Sequence, residues 1–181
     1  MKTVLIAVPT NKYIEPETFK SIYDLTCPAG FKTHFAYAYG YQIDEIRNLI
    51  ADWSKDYDYL LCVDSDIIMP NNTLIKMLNA DKDIISGLYR KKTKNIQYEV
   101  SYYDESKQIQ KVDWVGFGCI LIKSDVIKTI DYPYFYYQSA LSDNERITED
   151  VYFCNKARSY GYDVWIDPSI RLTHKGINYY E

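Results

Sequence analysis

Apolar runs and helical stripes take turns through the first half of the chain. Residues 3–8 form a continuous apolar run, the pattern of a strand covered on both faces. Over 15–25, Phe19, Ile22 and Tyr23 recur at helical spacing, with Pro16 near the start, where its missing N–H is tolerated. Residues 31–39 alternate around Phe35, Tyr37 and Tyr39 and predict a strand. Ile43, Ile46, Leu49, Ile50 and Trp53 make the stripe of an amphipathic helix. The runs 57–63 and 83–88 predict two more buried strands, and 71–78, after Pro70, a short helix between them.

This βαβαβαβ order predicts a Rossmann-like α/β fold, a mostly parallel central sheet flanked by helices. The pattern then changes. Residues 98–103 and 109–115 read as strands joined by a polar turn at Asp104, Glu105 and Ser106, and 118–123 as another apolar strand. Residues 149–160 read as a helix with Val151, Cys154 and Ala157 on one side and Gly161 as its C-cap. Short strands over 162–166 and 170–174 close the chain. No repeat, low-complexity tract or linker interrupts it, so 1–181 is expected to form one domain.

Composition narrows the class. Hydrophobic residues make up 47% and charged residues 25%, the balance of a globular protein. The net charge of -4 carries no footprint for a phosphate backbone, which argues against a duplex nucleic acid partner. The one basic stretch, Arg90, Lys91, Lys92 and Lys94, reads as a solvated loop. Cys27, Cys62, Cys119 and Cys154 form no CxxC pair, and Cys62 and Cys119 lie in apolar runs, as buried reduced thiols do. The opening residues are too few and too soon broken by Pro9 for a signal peptide or a membrane span. The expectation is a cytoplasmic protein with no transmembrane segment. The 20 tyrosines suit core margins, sugar-stacking surfaces and a homodimer contact.

The chemistry concentrates in three places. At 60–70 a buried strand runs straight into Asp64, Ser65 and Asp66. Ligands of open α/β sheets bind beyond the carboxyl ends of strands. Two carboxylates there repel, and a hard divalent cation, Mn²⁺ or Mg²⁺, removes that cost and bridges to phosphates. The same pair also suits a turn that caps the next helix. Glu149 and Asp150 open a helix behind Thr148, a plausible N-cap. There they complement the helix dipole, or one of them takes a proton from an acceptor hydroxyl. His174 ends a strand, whereas His34 reads as structural. Arg47 lies off its helix's apolar stripe, facing solvent or ligand. Trp114 is either a core residue or a wall for a sugar face. Gly116 and Gly118 mark either a bulge or a close approach by a ligand.

Taken in order, these segments resemble nucleotide-diphospho-sugar transferases of the GT-A fold, close to glycosyltransferase family 2, over nearly the whole chain. Pro9, Thr10 and Asn11 resemble the family's first-strand turn, and Arg47 with Asn48 its donor-binding stretch. Asp64-Ser65-Asp66 matches the DxD motif. Trp114, Gly116, Phe117 and Gly118 resemble the acceptor-side loop, and Thr148-Glu149-Asp150 with His174 the "ED" helix and late histidine. The resemblance implies a metal-dependent hexosyltransferase. Its donor would be a nucleotide sugar, by default a UDP-sugar such as UDP-glucose, and transfer would invert the anomeric centre. It further implies that Asp66 and His174 hold Mn²⁺ or Mg²⁺, that Asp64 binds ribose or the metal through water, and that Asp150 is the base with Glu149 beside it. The acceptor (a glycan, lipid-linked sugar, protein or modified nucleobase) stays open, and its recognition falls to the segment 89–138. A nucleotidyltransferase, a phosphatase of the haloacid-dehalogenase type or a non-catalytic nucleotide-sugar binder are the other classes. The first lacks its glycine-rich basic loop after the opening strand, and the second expects its DxD near the N-terminus.

Overall fold

The computed structural model describes residues 1–138, 147–176 and the backbone of 179–180. Seven strands make the main sheet: β1 (Lys2–Thr10), β2 (Phe31–Tyr39), β3 (Tyr59–Val63), β5 (Ile84–Leu88), β6 (Gln110–Val112), β7 (Cys119–Lys123) and β8 (Val164–Arg171). Their order is β2-β1-β3-β7-β5-β8-β6. The parallel ladders β1–β2, β1–β3 and β5–β8 carry most of the paired length, while β7 runs antiparallel between β3 and β5.

Alternation along the buried strands builds a core on each face. Leu5, Ala7, Leu60, Cys62, Ile84, Ile120 and Ile122 face one way. There they meet Ile46, Ile50 and Ala51 of α2 (Ile43–Ser54), Val126 and Ile127 of α4 (Ser124–Thr129), and Phe153, Cys154 and Ala157 of α5 (Glu149–Ser159). Val4, Ile6, Val8, Leu61, Val63, Ile85 and Leu121 face the other way. They pack on Ile22 of α1 (Pro16–Tyr23) and on Leu74 and Met77 of α3 (Thr73–Ala80).

A small second sheet positions the chemistry. β4 (Ile67–Ile68) leaves β3 just past Asp66 and pairs antiparallel with β9 (Thr173–Lys175), with Ile67 opposite His174. β10 (Tyr179–Tyr180) completes it.

Several expectations change. The run 98–103 forms no strand, only the bridges Arg90–Tyr98 and Val100–Val115, and 109–115 shortens to β6. The helix α4 follows β7 directly and is too short to show periodicity. The first closing strand runs on as β8 to Arg171, past Pro168, by a register shift from Gly87–Asp167 to Leu88–Arg171, and the second is divided between the end of β8 and β9. Proline is tolerated at such an irregularity. Leu49 faces solvent at 46% exposure, off the stripe's buried arc. Gly161, at φ +90°, holds the left-handed conformation expected just past a helix end.

Candidate functional site

Two adjoining clefts open at the carboxyl ends of β1 and β3. The first, about 340 Å³, is lined by Pro9, Thr10 and Asn11 from the end of β1 and by Asp64, Ser65 and Asp66 after β3. Gly40, Tyr41, Ile43, Ile46 and Arg47 form its side at the start of α2, and Glu149 and His174 close it. The Thr10 hydroxyl donates to the Tyr13 carbonyl at 3.0 Å, which fixes the turn after β1. The second cleft shares Arg47, Asp64, Glu149 and His174 and adds Tyr89, Lys91, Glu99, Trp114, Phe117, Thr148 and Asp150.

Arg47 is the floor between them. It is 4% exposed, its guanidinium donates to Asp64 at 2.9 Å and to Glu149, and it lies 5.1 Å from the centre of the Phe117 ring. Burial alone would lower its pKa, but the two carboxylates outweigh that and hold it charged. Burial in turn pushes Asp64 and Glu149 above the ordinary carboxylate range, against the pull of Arg47. The helix stripe put Arg47 toward solvent or ligand; it is buried, and it lines both clefts. Arg47 is a buried cation that locks one carboxylate from each acidic motif.

Asn48 turns away from the clefts. One residue on along the helix, it faces the 134–135 segment, donating to the Phe135 carbonyl at 2.7 Å and accepting from the Tyr134 and Phe135 amides at 2.9 and 3.1 Å. Its visible task is to clamp that segment to α2. Glu149 is likewise engaged within the protein. It lines both clefts, but its carboxylate is held by Arg47, whereas Asp150, half-buried, lines the second cleft without that lock. Thr148 occupies the N-cap position of α5 but makes no capping bond; its hydroxyl bonds to Asp150.

Asp66 and His174 meet through the β4–β9 pairing, with His174 Nε2 3.4 Å from Asp66 Oδ1. The other ring nitrogen, Nδ1, lies 3.0 Å from the Arg90 carbonyl. A carbonyl only accepts, so Nδ1 carries a proton, and Nε2 is the ring nitrogen turned toward Asp66. At that distance the two atoms can share a proton or a cation. Asp66 also bonds to the Lys92 ammonium. Burial works to raise the Asp66 pKa, but His174 and Lys92 prevail and lower it. Among the described residues no three His, Cys, Asp or Glu side chains cluster as a closed metal cage. Asp66 and His174 instead make an open pair, whose carboxylate and imidazole would suit a divalent ion such as Mn²⁺ or Mg²⁺.

Some residues escaped the sequence reading. Tyr89 is buried, accepts from the Gly118 amide at 3.0 Å and meets the His174 ring edge-on at 5.5 Å. A Cβ at Gly116 would come within 2.1 Å of the Tyr89 hydroxyl, and one at Gly118 within 2.6 Å of its ring. The Gly116-x-Gly118 spacing did announce a close approach; the approaching group is Tyr89. Glu99 faces the second cleft with Lys91 at 3.6 Å, and burial raises its pKa. Its signal was a lone acid in the apolar run from Tyr98 to Tyr103. The basic stretch is not merely solvated, since Lys91 and Lys92 engage Glu99 and Asp66 and the Arg90 carbonyl holds His174.

No protein-family model matches the chain, and no curated protein sequence does. Solved structures do. A197 from STIV aligns with a TM-score of 0.70 at 22% identity, over 97% of this chain and 86% of that one. The fold is GT-A. S. aureus TarS 1–349 in complex with UDP-GlcNAc aligns at 0.58 and 17% identity, over 99% of this chain and 58% of that one. GalNAc-T7 with UDP, GalNAc and Mn²⁺ aligns at 0.63 and 10% identity, over 96% of this chain and 44% of that one. The chain thus spans most of A197 but little more than half of the TarS fragment and less than half of GalNAc-T7. At these identities the likeness is one of fold. Among the described residues no helix is long and apolar enough to cross a membrane.

Proposed function

We propose that the chain is a divalent-metal-dependent glycosyltransferase that moves a hexose from a UDP-sugar to an acceptor hydroxyl with inversion. The observation that carries this reading is the Asp66–His174 pair at the mouth of a cleft whose other wall is the turn after β1. It is supported by the two neighbours of the same fold whose structures contain UDP-GlcNAc in one case and UDP, GalNAc and Mn²⁺ in the other.

In this reading the nucleoside lies against Pro9, Thr10, Asn11 and the start of α2. Asp66 and His174 hold the ion, which when bound neutralises the diphosphate of the donor. Lys92, which bonds to Asp66, would then be available to a phosphate oxygen. Arg47 keeps Asp64 and Glu149 fixed, so the cleft does not reorganise as charge moves to the leaving UDP. Trp114 lines the acceptor side, and Asp150 accepts the proton of the attacking hydroxyl. The acceptor oxygen bonds to the sugar C1 as the C1–O bond to the diphosphate breaks, and UDP departs.

The test is release of UDP from a panel of UDP-hexoses and UDP-N-acetylhexosamines, with Mn²⁺ and with EDTA. Release from one donor that EDTA abolishes is expected. Asp150→Asn should cut turnover by about 10²- to 10⁴-fold, the usual worth of a general base, while UDP affinity stays unchanged. If UDP affinity falls with turnover, Asp150 belongs to the donor side and the assignment of the base is wrong.

A further inference from the structure

Among the described residues nothing pairs with the outer edge of the last strand of the main sheet. β2 has β1 on one side and is the edge of the described sheet on the other. Edge strands of soluble proteins are usually short, bulged, charged or broken by proline. β2 is nine residues long, its register with β1 is unbroken, and its sequence FKTHFAYAY holds no proline, no acid and a single lysine.

Its free side can be read from the backbone. The Lys2 amide donates to the Gly30 carbonyl and the Gly40 amide to the Thr10 carbonyl, at 2.8 and 3.0 Å. Even-numbered positions therefore point their N–H and C=O groups at β1. The odd-numbered ones, Phe31, Thr33, Phe35, Tyr37 and Tyr39, point theirs outward. The same odd positions put their side chains on the α1 face, where Phe35 packs edge-on against Phe19 at 5.8 Å. Phe35, Tyr37 and Tyr39 remain 44%, 62% and 60% exposed.

We propose that β2 pairs antiparallel with β2 of a second copy of this chain about a two-fold axis at Phe35. An antiparallel partner can satisfy the outward groups only in a register that sets odd positions opposite odd positions. Centring on Phe35 uses the whole strand. Phe31 then faces Tyr39 of the partner, Thr33 faces Tyr37, and Phe35 faces Phe35, all on the α1 face. Aromatic cross-strand pairs of this kind are favourable. On the opposite face Lys32 meets Ala38 and His34 meets Ala36, so each larger side chain meets a small one and no like charges oppose. The strand is self-complementary in hydrogen bonding, size and charge, as an isologous contact requires. Two sheets would join into one, with both α1 helices on the same side.

Sedimentation equilibrium of the whole chain across a concentration series tests this. The wild type should populate a dimer that dissociates on dilution. Phe35→Lys sets two ammonium groups opposite each other at the axis and should weaken association by about tenfold or more, at least 1.4 kcal/mol. Thr33→Pro removes an outward N–H without touching the ladder to β1 and should weaken it too, with the circular dichroism spectrum unchanged. Amide exchange gives a reading that needs no variant: the Phe35 and Tyr37 amides should be protected in concentrated and exposed in dilute protein. A wild type that stays monomeric throughout, or a dimer that both folded variants leave intact, overturns the proposal. Neither outcome depends on sugar transfer.

Discussion

Arg47 joins two acidic motifs that lie 102 and 17 positions from it in sequence. Removing one member of a buried ion pair leaves charge without a partner, at a cost of about 3–5 kcal/mol. Arg47→Met should therefore destabilise the protein by that order. It should also make stability depend on pH. Burial would still raise Asp64 and Glu149, now with no cation to pull them back, so the folded variant would hold protons that the unfolded chain has released. Its stability should then fall as pH rises above the ordinary carboxylate range of about 4. Urea midpoints at about pH 5 and about pH 8 check this: the variant should lose more against wild type at the higher pH. A variant as stable as wild type at both would show that the triad does not hold the site together. At this scale the sequence was legible in residue type and blurred in role. Asp64 and Asp66 were singled out by their place after a buried strand, Asp150 and His174 by the family resemblance, and all four line the clefts. Arg47, Asn48 and Glu149 were singled out too, but their partners come from distant segments, and no local spacing reveals a partner.

The elements that build the site are the two-residue strand β4 and the three-residue strand β9, too short for any periodic signal. The long strands and the helices α2 and α5 could be read because their apolar positions repeat, and β2 was read to its boundaries. The segment after β5 could not, because its pairing comes as isolated bridges while its side chains serve the second cleft. Tyr89 ties that segment to β9 by its edge-on contact with His174 and to the loop before β7 through the Gly118 amide. Gly116→Ala would place a Cβ within 2.1 Å of the Tyr89 hydroxyl and force that buried ring aside. Overpacking of this kind costs about 1–3 kcal/mol, and displacing Tyr89 should loosen His174. Thermal melting with and without Mn²⁺ and UDP should show a lower Tm and a smaller shift from the ligands. An unchanged ligand-induced shift would mean that Tyr89 supports the fold without supporting the site.

For the whole molecule, the alternation of strands and helical stripes was enough to forecast an α/β sheet with a core on each face, since burial on both sides leaves its mark in continuous apolar runs. What it could not forecast was β7 entering antiparallel between β3 and β5, because the direction of a strand is set by the path of its connections. That arrangement brings β3, the loop before β7 and the start of α5 to one edge, where both clefts open. The central claim is that this edge binds a nucleoside diphosphate through an ion held by Asp66 and His174. Calorimetric titration of UDP into the protein, first with Mn²⁺ and then with EDTA, tests it most directly. Binding with Mn²⁺ that EDTA removes, and that Asp66→Ala also removes while the protein stays folded, is the predicted result. Absence of binding under either condition, with GDP as well as UDP, would contradict it and leave a GT-A fold put to another use.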